Sequence, residues 1–190
     1  MTKDSRRFDS QKRDKLLGPD RLARWNPPRL LSLAGLQAGR SALDLGCGPG
    51  FWTMPMAEIV GTNGQVIALD VNREMLDSLA AQSPPAHVCL LQGELPGIAL
   101  PGGSVDFVWA AFIFHEVVPP ALLAAELRRV LRPDGRLAVL EWRPDAATDA
   151  GPPRRHRLSP EQVGACLLSA GFQEVHLIWQ DEDSYLAGAY

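Results

Sequence analysis

Long hydrophobic runs are missing from this chain of 190 residues. No apolar stretch approaches the roughly 20 residues that a bilayer-crossing helix needs, so no segment is expected to span a membrane. Cysteine is scarce: Cys47, Cys89 and Cys166 are odd in number, far apart and without a Cys-x-x-Cys pair. That excludes a disulfide scaffold, offers no metal-ligand pattern, and fits reduced thiols in a cytoplasmic protein. Repeats and low-complexity tracts are also absent. The first twenty residues are charged rather than apolar, unlike a secretory signal. What remains is 46% hydrophobic, enough for a real core, and the length suits one domain.

Basic residues are scarce in the middle of the chain. Residues 41–127 carry one, Arg73, against nine acids, whereas residues 1–40 carry ten Lys or Arg against four Asp. The basic N-terminus could steer an anionic or nucleic-acid substrate. Asp4, Asp9, Asp14 and Asp20 interrupt it, however, and favour a solvated helical extension over residues 1–40. Within it, Gln11–Leu17 forms a short helix ended by Gly18-Pro19, and a second helix starts at Asn26-Pro27-Pro28, with Asn26 as cap.

From residue 41 onward, strand and helix signals alternate. Buried strands are expected at Ser41–Leu45, Gln65–Asp70, Val88–Gln92, Val105–Phe112 and Arg136–Trp142. Helices fall at Trp52–Val60, Arg73–Ala81, Pro119–Leu131 and after Ser159-Pro160, where Ser159 is a cap. Five strands joined by crossovers give a parallel sheet with right-handed connections. The segments Gln173–Trp179 and Ser184–Tyr190, split by Asp181-Glu182-Asp183, form a terminal hairpin.

The informative stretch is Asp44-Leu45-Gly46-Cys47-Gly48-Pro49-Gly50. Three alternate glycines remove side chains from one side of a strand-to-helix turn, so a ligand can approach bare backbone. The following helix adds unpaired N–H groups and its positive dipole end. Asp44 places a carboxylate beside that spot, which suits a ligand carrying an ammonium group.

This run resembles the first motif of class I S-adenosylmethionine-dependent methyltransferases, and the likeness extends over residues 41–190, about four-fifths of the chain. It implies an α/β fold: a Rossmann-like, doubly wound, seven-stranded mixed sheet in three αβα layers, the last strand inserted antiparallel beside the fifth. It implies S-adenosylmethionine as cofactor, S-adenosylhomocysteine as product, and methyl transfer to a small-molecule acceptor by in-line displacement. The cofactor contacts it implies are Asp44, Gly46, Cys47, Gly48 and Gly50; Asp70 on the ribose hydroxyls, with Val71; Met75 near the adenine; Gly93, Glu94 and Leu95 around the adenine amino group and ring; and Ala110 with Phe112 at the methionine end. Glu94 stands where the family more often has Asp, and Ile98-Ala99-Leu100-Pro101 replaces a Leu-Pro-Phe-Pro-like run.

Several of these residues have a plainer reading beside the functional one. Cys47 serves as a small packing residue in a place where a thiol at a helix start is otherwise reactive. Met75 at helical spacing is equally a core residue. Asp70 alone is an ordinary strand-end acid, and Glu94 a loop acid. Phe112-Ile113-Phe114-His115-Glu116 resembles a motif of small quinone-type methyltransferases. His115 is the candidate general base, or else a local hydrogen-bonding group, with Glu116 either orienting it or capping the helix at Pro119. Phe8, Trp25, His115, Trp142 and Arg143 are candidates for the acceptor pocket.

Other activities fit less well. A dinucleotide-binding dehydrogenase needs Gly-x-Gly-x-x-Gly, and here the third glycine comes one residue early. No Asn/Asp-Pro-Pro-aromatic run follows the fourth strand, and the chain is net acidic, so nucleic acid is not the expected acceptor. RNA or protein methylation, or a non-catalytic cofactor-binding module, are the alternatives.

Overall fold

Seven stretches pair into one sheet: β1 (Ser41–Leu45), β2 (Gln65–Asp70), β3 (Val88–Gln92), β4 (Val105–Ala111), β5 (Leu131–Trp142), β6 (Val175–Gln180) and β7 (Ser184–Ala189). The structure, a computed structural model, describes residues 17–190; Phe8 and all but the last residue of the expected Gln11–Leu17 helix lie outside the described residues. The strand order is β3-β2-β1-β4-β5-β7-β6. The first five strands run parallel, and β7 is antiparallel to both β5 and β6. Strand order reverses between β1 and β4, so the crevice for a ligand opens beyond their carboxyl ends.

Alternation along the strands sorts side chains to two faces. Leu43, Leu45, Val108 and Val139 face α5 (Pro120–Val130) and α6 (Pro160–Ser169), whose Leu123, Leu127, Val163 and Leu167 share that core. Ala42, Val66, Phe107, Trp109 and Leu140 face the other way. That face is covered by α1 (Pro19–Trp25), α2 (Pro27–Leu33) and α3 (Thr53–Val60). Below them, α4 (Arg73–Ala80) packs Leu76 and Leu79 against Ala68 and Cys47. The sheet is therefore the middle of three layers.

Several boundaries differ from the sequence reading. A helix the sequence did not announce, α1, starts at Pro19, because proline at the first helical position loses no needed N–H. The helix after the glycine turn begins at Thr53, one residue later than Trp52. β4 stops at Ala111, because Phe112 takes a left-handed φ of 60° that no extended strand accepts. β5 begins at Leu131, which pairs with Val105; the ladder then resumes at Arg136 opposite Phe107, so residues 132–135 bulge around the expected Pro133-Asp134-Gly135 turn.

Local caps agree with the sequence. Asn26 Oδ1 accepts from Arg29 N–H at 3.3 Å. Ser159 and Gln162 form a reciprocal capping box at the start of α6. Replacing Ser159 with Ala is expected to destabilise the fold by about 1 kcal/mol, measured as a shift of the urea midpoint at unchanged slope.

Candidate functional site

The glycine turn leaves β1 and is held from β2. Asp70, the last residue of β2, accepts from Gly48 N–H through Oδ2 and from Asn72 N–H through Oδ1, both at 2.8 Å. One carboxylate thus fixes both the glycine turn and the start of α4. Burial raises the Asp70 pKa against the pull of these backbone bonds. A carboxylate has about four lone-pair sites, so these two bonds leave acceptor capacity for a ligand hydroxyl.

Gly46 and Gly50 need their freedom for different reasons. Both have positive φ, 69° and 97°. A Cβ on Gly46 would come within 2.5 Å of Ile113 Cδ1, and one on Gly50 within 2.5 Å of Leu79 Cδ1. On those sides the turn is therefore closed by packing: Ile113 covers Gly46, and Leu79 of α4 covers Gly50. The bare backbone predicted from sequence survives only away from these contacts.

Asp44 is not at the strand end. It lies one residue before it, 1% exposed, on the α3 face, and accepts from Thr53 Oγ1 at 2.6 Å. Burial pushes its pKa up to about 7, the Thr53 hydrogen bond pulls it down, and the nearby Asp70 charge adds to the rise. No cationic side chain offsets either acid among these causes. Among the described residues, neither acid of the turn has a cationic partner to hold its pKa down.

Cys47 is 3% exposed and packs with Ala68, Leu76 and Leu79, and burial raises its thiol well above the usual range. It is a packing residue rather than a reactive one. Met75 is 4% exposed, which gives it a core role. Val71 and Glu94 are exposed beyond β2 and β3, beside the half-buried Gly93 and Leu95. Ala110 is buried within β4, and Phe112 turns its ring onto Trp25 and Trp142, with centroids 4.9 and 4.8 Å away.

His115 follows β4 in a short 3-10 turn and is buried. Its partner is Glu141 on β5, not the expected Glu116. His115 Nδ1 lies 3.0 and 2.9 Å from the two Glu141 oxygens. Glu141 also accepts from the backbone N–H of His115 and of Trp142. Three N–H groups converging on one fully buried carboxylate place the Nδ1 proton on the imidazole. Burial lowers the His115 pKa, but the charge and hydrogen bond of Glu141 outweigh it, and the net shift is upward. The stability this pair supplies is full below about pH 6.5 and is lost as pH rises through the higher folded value. His115 lines a cleft of about 160 Å³ with Val117, Val118, Arg155, His156 and Leu158.

The expected acceptor set is split. Glu141 and Trp142 are adjacent on a strand and point to opposite faces, so the His115–Glu141 pair lies on the α5/α6 face and the Trp25–Phe112–Trp142 cluster on the other. Arg143 belongs to neither; it forks onto Asp145 at 3.0 and 2.8 Å and onto the Asp181 carbonyl. Glu141 was missed in the sequence because an acid in an apolar strand gives no periodic signal. Its only cue was position, at the carboxyl end of a central strand.

Comparison with known proteins bears on the family and the fold. A methyltransferase-domain model matches residues 43–139. The crystal structure of an S-adenosylmethionine-dependent methyltransferase from Aquifex aeolicus superposes with a TM-score of 0.89 at 33% identity, covering 96% of this chain and 98% of that one. This chain belongs to that methyltransferase family. Similar proteins named for an activity include the ubiquinone/menaquinone biosynthesis C-methyltransferase UbiE of Marinomonas sp., 35% identical over 59% of this chain and 46% of the relative. Nocamycin O-methyltransferase of Saccharothrix syringae is 36% identical over 72% of this chain and 48% of the relative. The chain spans about half the length of these curated methyltransferases. Among the described residues, no helix is long and apolar enough to cross a membrane, and no cluster of His, Cys, Asp and Glu could hold a metal ion.

Glu141→Gln removes the charge that holds the His115 proton. The variant is expected to lower the His115 titration midpoint below the wild-type value, followed by NMR of the imidazole Cε1–H and assigned with His115→Asn.

Proposed function

We propose that this protein binds S-adenosylmethionine at the glycine turn and transfers its methyl group to a small-molecule acceptor. The observation that carries the reading is a pair of acids, Asp44 buried and Asp70 partly buried, at a backbone turn where no cation among the described residues pairs with either. Uncompensated acids are unfavourable in a cofactor-free protein and become favourable beside a ligand with positive charges. S-Adenosylmethionine has two, an ammonium and a sulfonium, and the sulfonium supplies an already activated methyl group.

The chain's own residues then have separate tasks. Asp70 accepts from the ribose hydroxyls with the lone pairs its backbone bonds leave over. Gly46, Gly48 and Gly50 hold the turn in left-handed backbone that passes close to the amino-acid tail. Glu94 and Leu95, after β3, border the adenine. Val71 and Met75 form its apolar side, Val71 by exposed contact and Met75 from within the core. Ala110 and Phe112 border the methionine end.

His115 is the candidate base for an acceptor O–H or N–H. With the Nδ1 proton held by Glu141, Nε2 is the basic atom. Positioning the acceptor in line with the methyl group is the other requirement, and it is met by orientation rather than further chemistry. A small acceptor is supported by relatives named for quinone C-methylation and for O-methylation of a natural product.

Because Asp44 titrates near pH 7 in the free protein, a cation placed beside it should expel its proton. Calorimetry with S-adenosylhomocysteine at pH 7, in buffers of different ionisation enthalpy, is expected to show binding with release of about half a proton per site. Asp44→Asn should abolish the buffer dependence, and Asp70→Ala should weaken binding by about tenfold or more. Absence of binding to the wild type would refute the proposal.

A further inference from the structure

Among the described residues, Arg21 on α1 is a cation with no ion-pair partner. Its guanidinium carbon lies 4.8 Å from the ring centroids of both Trp25 and Phe51 and 5.6 Å from that of Phe112. Its Nε is buried and has no hydrogen-bond partner among the described residues. One helical turn on, Arg24 shows the ordinary arrangement: ion pairs with Asp181 at 3.3 Å and Asp183 at 2.7 Å. No acid among the described residues pairs with Arg21 in this way. Burial lowers its pKa to about 10, so it remains charged at neutral pH.

Three aromatic faces compensate part of the lost hydration. They satisfy none of the N–H donors, which lie in the plane of the group and suit a planar two-oxygen acceptor. The position of the box is informative. Phe51 directly follows the last glycine of the turn, and Phe112 directly follows β4. The guanidinium therefore overlooks the crevice between the carboxyl ends of β1 and β4. On the turn itself the charge is opposite, from Asp44 and Asp70. Two acids at the turn and one guanidinium above it form a pattern complementary to a zwitterionic amino acid.

We propose that Arg21, presented by the Trp25–Phe51–Phe112 box, is a carboxylate-recognition group at the mouth of this site. The inference rests on the cofactor reading above and adds a ligand group and a residue to it. Two sources can supply the carboxylate. One is the amino-acid tail of the cofactor, whose ammonium would then lie toward the two acids. The other is a carboxylate on the methyl acceptor. The box is anchored to β7 by Trp25, which donates its indole N–H to Ser184 Oγ at 3.1 Å.

The test compares wild type with Arg21→Met, which keeps an apolar stem on the rings, and Arg21→Lys, which keeps a charge. Thermal unfolding without ligand first establishes that each variant is folded. Calorimetry then measures S-adenosylhomocysteine against its decarboxylated analogue. A second arm measures benzoate against benzamide on protein saturated with S-adenosylhomocysteine. If the cofactor supplies the carboxylate, Arg21→Met weakens S-adenosylhomocysteine by about tenfold or more, leaves the decarboxylated analogue unchanged, and Arg21→Lys restores part of the difference. If the acceptor supplies it, the cofactor arm is unaffected, and Arg21→Met removes only the preference for benzoate over benzamide. Equal effects on charged and neutral partners in both arms, or no effect in either, would overturn the proposal and leave Arg21 a packing residue. Wild type that takes up neither adenosyl compound would instead overturn the cofactor reading beneath it.

Discussion

The carboxylate of Asp70 is the hinge on which the site is assembled. By accepting from Gly48 N–H on one side and Asn72 N–H on the other, it joins the β1 turn to the β2–α4 corner. The glycine turn is therefore a fixed surface, although glycine gives it the widest backbone freedom. Packing completes the constraint, with Ile113 on Gly46 and Leu79 on Gly50. The cost is electrostatic. Asp70 and Asp44 stand near each other with no basic group between them, and burial raises both pKa values. A cationic ligand relieves that cost directly, and on the proposed reading this relief is what the cofactor's positive charges supply.

Strand register distributes the remaining chemistry. Because neighbouring residues on β5 alternate, Glu141 goes beneath the 3-10 turn that carries His115, while Trp142 goes to the α1 side and meets Trp25 at 5.7 Å and Phe112 at 4.8 Å. The β4–β5 end therefore presents a polar, titratable flank and an aromatic one. A His–carboxylate pair is suited to moving a proton, and an aromatic box holding a lone guanidinium is suited to recognising an anion. The antiparallel β7 supports both flanks: Tyr185 lies opposite Glu141, and Ser184 opposite Trp142.

Much of this was legible in the sequence because it depends on local signals. The parallel strands are apolar runs, the caps at Asn26 and Ser159 are short-range patterns, and the glycine spacing marks the turn. Asp70 was legible from its distance to that turn. What could not be read depended on contacts between distant segments. The partner of His115 is 26 residues away on another strand, whereas Glu116, beside it in sequence, is not the residue that holds its Nδ1. Asp44 was legible as an acid beside the turn, but its hydrogen bond from Thr53 and its burial under the α3 layer were not. Arg143 looked available until Asp145 and Asp181 claimed it. Helix α1 escaped the sequence reading because proline marks a helix start as well as a stop, and the packing of Trp25 decides for the residues after Pro19.

The most direct test follows backbone amides during titration of the labelled protein with S-adenosylhomocysteine. The account requires the largest ¹⁵N–¹H shifts at Gly46, Gly48, Asn72 and Leu95, because these N–H groups lie along the proposed binding edge and two of them already bond Asp70. Saturable shifts confined to that edge would agree with it. Glycine-turn amides that stay unmoved while the ligand binds elsewhere would contradict it.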